Sequence, residues 1–291
     1  MPNVSEGRDM GAVGRLAHAF SASARVLDTH SDPVHNRTVF TLSPTSGSVV
    51  AALATGAEAT IDAIDLTEHG GEHPRIGALD VAPVVYLSAE GRDEAREQAL
   101  AVAERIAALE VPIFLYGELA SVPERRERAY FRSGDLSRLR ARMTSGELLP
   151  DLGPRTPHPT AGATLITARP PLAAFNMEFE GMTHTQAREV AAALRESGGG
   201  RTGVRALALA LPDDVTQIST NIHDPIAVPL REVVARAREL AEPHAGQIVA
   251  AEIVGLIPRG ALAGFPADVP LPGFDRTRGL IEERLAALKG G

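Results

Sequence analysis

The stretch from Val204 to Val254, VRALALALPDDVTQISTNIHDPIAVPLREVVARARELAEPHAGQIVAAEIV, decides the fold class. Val204 to Leu211 and Thr216 to Ile222 are short, β-branched and apolar, and Pro212 and two aspartates part them, so they read as two strands joined by a turn. Leu230 to Ala241 places apolar residues three and four apart, the period of a core-facing helix. Gln247 to Val254 returns to strand character. Strands alternating with amphipathic helices over short connections indicate layers of sheet and helix.

Working outward, the same logic recurs towards the N-terminus. Arg25 to Asp28 and Arg37 to Leu42 read as strands, Ser48 to Leu66 as a helix, Val81 to Leu87 as a strand, Arg92 to Leu109 as a helix and Pro112 to Tyr116 as a buried strand. Ser121 to Leu149 is rich in Arg and Glu and is expected to form short surface helices, and Pro150 to Gly162 is a loop dense in Pro and Gly. Ala163 to Thr167 and Leu172 to Phe179 are expected strands on either side of Pro170-Pro171. A helix from Thr183 to Glu196 follows, capped by Thr183 and ended by Gly198 to Gly200. A last helix spans Arg276 to Leu288. Two similar halves result, with mixed sheets covered by helices on one side expected rather than a doubly wound sheet.

Composition removes several function classes. The 291 residues carry 29 Lys+Arg against 37 Asp+Glu, a net charge of -8, which argues against a generic nucleic-acid binder. With no Cys there is neither a disulfide, a thiolate metal site nor a Cys nucleophile. The N-terminus is polar and no apolar run reaches about 18 residues, so neither a signal peptide nor a membrane span is expected, and a cytoplasmic protein is the default. A Rossmann fingerprint, a phosphate-binding loop and a nucleophile elbow are all missing.

The densest chemical cluster is His69-Gly70-Gly71-Glu72-His73-Pro74-Arg75-Ile76-Gly77, between a helix and a buried strand, where catalytic loops commonly sit. His73 can move protons near neutral pH, Glu72 can orient it, and Arg75 can hold a carboxylate or an oxyanion. Pro74 biases His73 towards extended backbone. A zinc reading through His69 and His73 is weaker, because Gly70, Gly71 and Pro74 oppose the helix it needs; no metal is expected. His30, His35, Asn36 and Arg37 follow a strand end and could line the same site, and each histidine could equally be an ordinary surface residue. His158 lies in the Pro/Gly loop. Ser219, Thr220 and Asn221 form a polar patch of open role, and His18, His184, His223 and His244 look like ordinary surface or helix residues.

These residues resemble the formiminotransferase family. The likeness runs from Pro2 to Leu262 in ordered segments: PNVSEG at 2–7, NRTV at 36–39, GEHPRIGALDV at 71–81, LYGE at 115–118, DLGP at 151–154, GAT at 162–164, AFN at 174–176 and STN at 219–221. It implies an α+β protein of two α/β-sandwich subdomains, ferredoxin-like, at 1–170 and 171–291, with the active site in the cleft between them. It further implies transfer of a formimidoyl group from N-formimidoyl-L-glutamate to N5 of tetrahydrofolate, a step of histidine degradation, with folate as co-substrate and a homodimer as the assembly. His73 takes the position of the family's catalytic His. The folate-binding stretch falls on Gly153, Pro154, Arg155, Thr156, Pro157, His158, Pro159, Thr160, Ala161 and Gly162. Substrate-binding roles are expected for His30, Asn36, Arg37, Glu72 and Arg75, with Arg37 or Arg75 holding a carboxylate.

The chain departs from the family at three places. Where relatives read DVDAGP it has Asp28-Thr29-His30-Ser31-Asp32-Pro33, so His30 replaces a carboxylate; Ala161 stands at an aromatic position; and Pro170 replaces a Lys. The start at Met1-Pro2 is shorter than the usual leading strand, from either a misassigned start or a trimmed edge strand. Two other functions stay open on these departures: a diverged formyl- or formimidoyltransferase with another amine donor or acceptor, and a noncatalytic folate-binding protein.

Overall fold

A computed structural model describes residues 1–44, 49–71, 74–132, 134–212 and 214–289. They divide into two compact units, Met1–Pro170 and Pro171–Gly291. The described elements are ten strands and seven α-helices, with short 3-10 turns between them.

The second unit contains β7 (Ala173–Glu180), α5 (His184–Leu194), β8 (Val204–Ala210), β9 (Thr216–Ile222), α6 (Leu230–Ala241), β10 (Gln247–Val254) and α7 (Ile281–Lys289). Its sheet has the order β10-β7-β9-β8. This is the β-α-β-β-α-β arrangement of ferredoxin-like domains. Every pairing is antiparallel, so this sheet is not mixed. Strand alternation accounts for its core: Ala173, Phe175, Met177 and Phe179 of β7 all point to the helical side and are fully buried. Thr183 forms a capping box with Gln186 and starts α5 where its sequence indicates.

The first unit repeats that arrangement and enlarges it. β1 (Asn3–Val4), α1 (Met10–Phe20), β2 (Ala24–Asp32), β3 (Arg37–Pro44), α2 (Val49–Ala63) and β4 (Leu79–Val85) give the order β2-β3-β1-β4. Then α3 (Arg92–Ala107), β5 (Ile113–Leu115), α4 (Leu136–Thr144) and β6 (Thr164–Arg169) add two parallel strands, completing β2-β3-β1-β4-β6-β5. This sheet is mixed. Its cover is not one-sided: Leu53, Ala82, Val102 and Ile166 pack on the side of α1 to α3, whereas Val81, Phe114 and Leu165 meet Phe131, Leu139 and Met143 of the 121–149 region on the other. A parallel strand pair is apolar on both faces and has to be covered twice.

The expected elements differ from the observed ones in a few places with identifiable causes. The helix expected to reach Leu66 ends at Ala63, and the Leu66 N–H donates to the Thr160 carbonyl, 2.8 Å away, in the Pro/Gly loop. Ser48 lies outside the described residues. The last helix starts at Ile281 rather than Arg276, because the Asp275 side chain binds a turn at Thr277 and Leu280 bridges to Ile257. β2 extends to Asp32, four residues beyond its apolar run, held by its pairing with β3. α1 has no counterpart among the expected helices, since Gly11 and Gly14 obscure its period. Its signals are Asp9, whose side chain accepts from Gly11 and Ala12, and the spacing of Val13, Leu16 and Phe20. β1 is not an edge strand, because it pairs with β3 on one side and β4 on the other.

Phe20 from α1 and Phe40 from β3 pack with tilted rings, centroids 5.1 Å apart, and are fully buried, each worth about 1.5–3 kcal/mol of apolar transfer. α2 approaches Phe20 at Gly56, where an added Cβ would lie 1.9 Å from the ring. No helix among the described residues is long and apolar enough to cross a membrane.

Candidate active site

Within the first unit, four sequence-distant loops meet. The chain after β1 runs as Ser5-Glu6-Gly7: the Ser5 hydroxyl donates to the Gly77 carbonyl at 2.8 Å, and the Gly7 N–H donates to Asn36 Oδ1 at 2.9 Å. Asn36 takes the left-handed conformation (φ 47) at the β2–β3 turn, and its amide nitrogen donates to the Gly70 carbonyl at 3.0 Å. Gly71 lies directly against that turn, where an added Cβ would be 2.6 Å from the His35 carbonyl. On the other side, Ala78 N–H donates to the Ala161 carbonyl and Ala163 N–H to the Ile76 carbonyl, both at 2.9 Å. Gly162 (φ 70) is confined by the Ile76 carbonyl, 2.2 Å from where its Cβ would stand.

The loop from Gly153 to Gly162 is organised by His158. Its Nδ1 accepts from Ala161 N–H at 3.0 Å, and its backbone pairs with Gly162 in both directions. Accepting at Nδ1 leaves the proton on Nε2. Gly153, Arg155, Thr156 and Pro159 are exposed, Pro154, His158 and Thr160 half-buried, and Pro157, Ala161 and Gly162 buried. Ala161 packs in the core on the helical side, so its replacement of a larger residue changes core volume rather than an exposed stacking face.

His30 and Arg37 sit opposite Val39 and Asp32 in the β2–β3 ladder, on the sheet face turned away from α1 to α3. Arg37 is partly buried, and its pKa is lowered to about 10, first by burial and then by Arg132 and Arg128. Asp32 binds His35 Nδ1 and accepts from the His35 and Val34 N–H groups; these bonds outweigh burial and hold its carboxyl below the usual range. Asn36 uses both ends of its amide on backbone and serves as a tie between loops. Arg75 donates to the Gly71 carbonyl. Glu72 and His73 lie outside the described residues. In the second unit, Ser219, Thr220 and Asn221 do not form one patch: the Thr220 hydroxyl points to the core side and donates to Phe175, while its two neighbours face the other way.

Two residues beside the 69–77 loop, Asp80 and Arg132, are not among the expected site residues. Asp80 of β4 is 2% exposed; it accepts from Ile76 N–H at 2.7 Å and pairs with Arg132. It thereby joins the end of the 69–77 loop to the 121–149 region. A lone carboxylate in the apolar run Ala78 to Val85 was the available signal, since a buried charge requires a partner. His69, Pro74, Arg75 and Arg132 line a cavity of about 340 Å³. Both His69 ring nitrogens are shielded from solvent, with backbone groups of Asn36 and Ser5 beside the ring.

The His69 pKa is lowered from 6.5, first by desolvation and then by Arg75, with Asn36, Glu6 and Ser5 opposing. The unfolded chain therefore binds a proton here that the folded chain does not. Stability should fall as pH drops below 6.5 towards the folded value, and be level above it. Urea midpoints between about pH 5 and 8 should show this dependence in the wild type and a weaker one in His69→Gln; equal slopes would remove His69 as its source.

Residues 1–169 match the model described as the formiminotransferase domain, N-terminal subdomain, and residues 174–265 the model described as the formiminotransferase domain. The chain belongs to the formiminotransferase family. A formiminotransferase relative from Streptococcus pyogenes, named glutamate formimidoyltransferase, is 36% identical over 90% of this chain and 89% of its own length. One of the same name from Thermoplasma acidophilum is 34% identical over 98% and 95%. The formimidoyltransferase-cyclodeaminase of Rattus norvegicus is 35% identical over 90% of this chain, which spans 50% of that longer protein.

Proposed function

We propose that this formiminotransferase moves the formimidoyl group of N-formimidoyl-L-glutamate to N5 of tetrahydrofolate and releases glutamate. Similarity along nearly the whole length to relatives named glutamate formimidoyltransferase carries this reading. The meeting of the 5–7, 36–37, 69–77 and 153–162 segments in one unit supports it.

In the reaction, N5 attacks the formimidoyl carbon to give a tetrahedral adduct. The N5 proton is removed, the bond from that carbon to the glutamate nitrogen breaks, and the leaving nitrogen takes up a proton. Those two transfers need one group that accepts and then donates near neutral pH, the role assigned to His73. Glu72 orients it. The 153–162 loop receives folate with its exposed Arg155 and Thr156. Arg75 or Arg37 offers a fork for a carboxylate. The reading places the chain in histidine degradation, in the cytoplasm and as a homodimer, on family resemblance.

Mixing purified protein with tetrahydrofolate and N-formimidoyl-L-glutamate and following folate absorbance tests the reaction. Donor-dependent turnover supports it. Tetrahydrofolate binding without turnover would shift the assignment to another donor or to a noncatalytic folate binder.

A further inference from the structure

The cavity beside the 69–77 loop is lined by a cation, Arg132, with unused hydrogen-bonding capacity among the described residues. The Arg132 side chain is 10% exposed, and one terminal nitrogen pairs with Asp80. Its Nε is shielded from solvent and has no hydrogen-bond partner among the described residues. A guanidinium offers five N–H donors in a planar fork, matched to a carboxylate. Arg75 lines the same cavity, and Leu66, Pro74 and Leu136 supply an apolar wall. Low polarity strengthens a charge-assisted bond formed there.

Charge around Arg132 favours an added anion. Arg37 and Arg128 stand near enough for each to be disfavoured by Arg132. Facing them are Asp80, already bound to Arg132 and Ile76, Asp32, bound to His35, and Glu127 beside Arg128. Asp135 also lines the cavity, with one carboxylate oxygen engaged by the Arg138 N–H at the start of α4. None of residues 153–162 is among the described residues lining this cavity, although Leu66 and Ile76, which do line it, are bonded to the segment 160–163.

We propose that Arg132, with Arg75, holds a carboxylate of the formimidoyl donor in this cavity and so sets specificity for an acidic amino acid. The proposal rests on the transfer reading for the donor's identity. Arg132 belongs to the Arg/Glu-rich 121–149 region, which thereby contributes to binding as well as to covering the sheet.

The test uses the full chain with Arg132→Gln and Arg132→Lys. Losing a charge-assisted bond of about 1.5–3 kcal/mol should raise the donor KM roughly 10- to 100-fold in Arg132→Gln, and less in Arg132→Lys, which keeps the charge opposite Asp80 but loses the fork. The KM for tetrahydrofolate should change little. Calorimetric titration with L-glutamate gives a readout independent of turnover: binding to wild type, weakened in parallel in both variants. An unchanged donor KM in folded variants, a rise in the folate KM instead, or no glutamate binding by wild type would each overturn the proposal. A wild type that binds glutamate through Arg132 yet transfers nothing from N-formimidoyl-L-glutamate would remove the transfer reading and leave the carboxylate site.

Discussion

His73→Ala should lower kcat roughly 100- to 10,000-fold, the range that one acid-base group supplies. The expectation follows from proton balance. Neither the attack by N5 nor the departure of glutamate proceeds readily unless a proton leaves one nitrogen and arrives at the other. Water can perform both transfers slowly, so activity should fall far without vanishing. KM values should move little, because the contacts proposed for the carboxylates and the pterin are made by other residues. The acidic limb of the kcat/KM pH profile should disappear with the imidazole, and His73→Gln, which retains size and polarity, should be as impaired as Ala. A variant retaining more than about a tenth of wild-type kcat would remove His73 from the proton-transfer role.

The second large effect concerns stability. Asp80→Ala should destabilise the first unit by about 3–5 kcal/mol, the usual cost of stripping one partner from a buried ion pair. Two losses combine. Arg132 would remain buried beside Arg37 and Arg128 with its counter-charge gone, and Ile76 N–H would lose an acceptor now at 2.7 Å. Against a total stability of about 5–15 kcal/mol this is a large fraction, and the melting temperature should fall on the order of 10 °C. Asp80→Asn keeps an acceptor for Ile76 and should fall between the two. Equilibrium urea unfolding followed by circular dichroism measures both variants. A loss below about 1 kcal/mol in Asp80→Ala would show that the pair contributes little.

The site and the fold were legible in the sequence to different degrees. Strands with alternation or β-branching and helices with a clear apolar stripe were readable: β9, α6 and β10 lie where their own residues place them. α1 was not, because two glycines dilute its pattern, and β1 was not, because two residues carry no period. The polar end of β2, Thr29 to Asp32, is strand only because β3 lies beside it, a contact that a local reading does not contain. The 69–77 loop stood out through local density of His, Gly and Arg. Arg132 and Asp80 are 52 residues apart, and neither is conspicuous by itself; only folding makes them a pair. Asn36 resembled a substrate ligand, and folding also gives its amide one backbone bond at each end.

The two units share a four-stranded order, and only the first extends it with β6 and β5. The segments 77–79 and 153–162 are fastened to that extension: Thr164, at the start of β6, reaches the Leu79 carbonyl 85 residues earlier, and the 153–162 loop, bridged to Gly77, leads into the same strand. Such distant closures are slow to form and gain little until the intervening chain is ordered. Competence for chemistry should therefore arrive late in the folding of the first unit, after its shared four-stranded part. A nascent chain released before β6 would carry the 69–77 loop without the framework that shapes it.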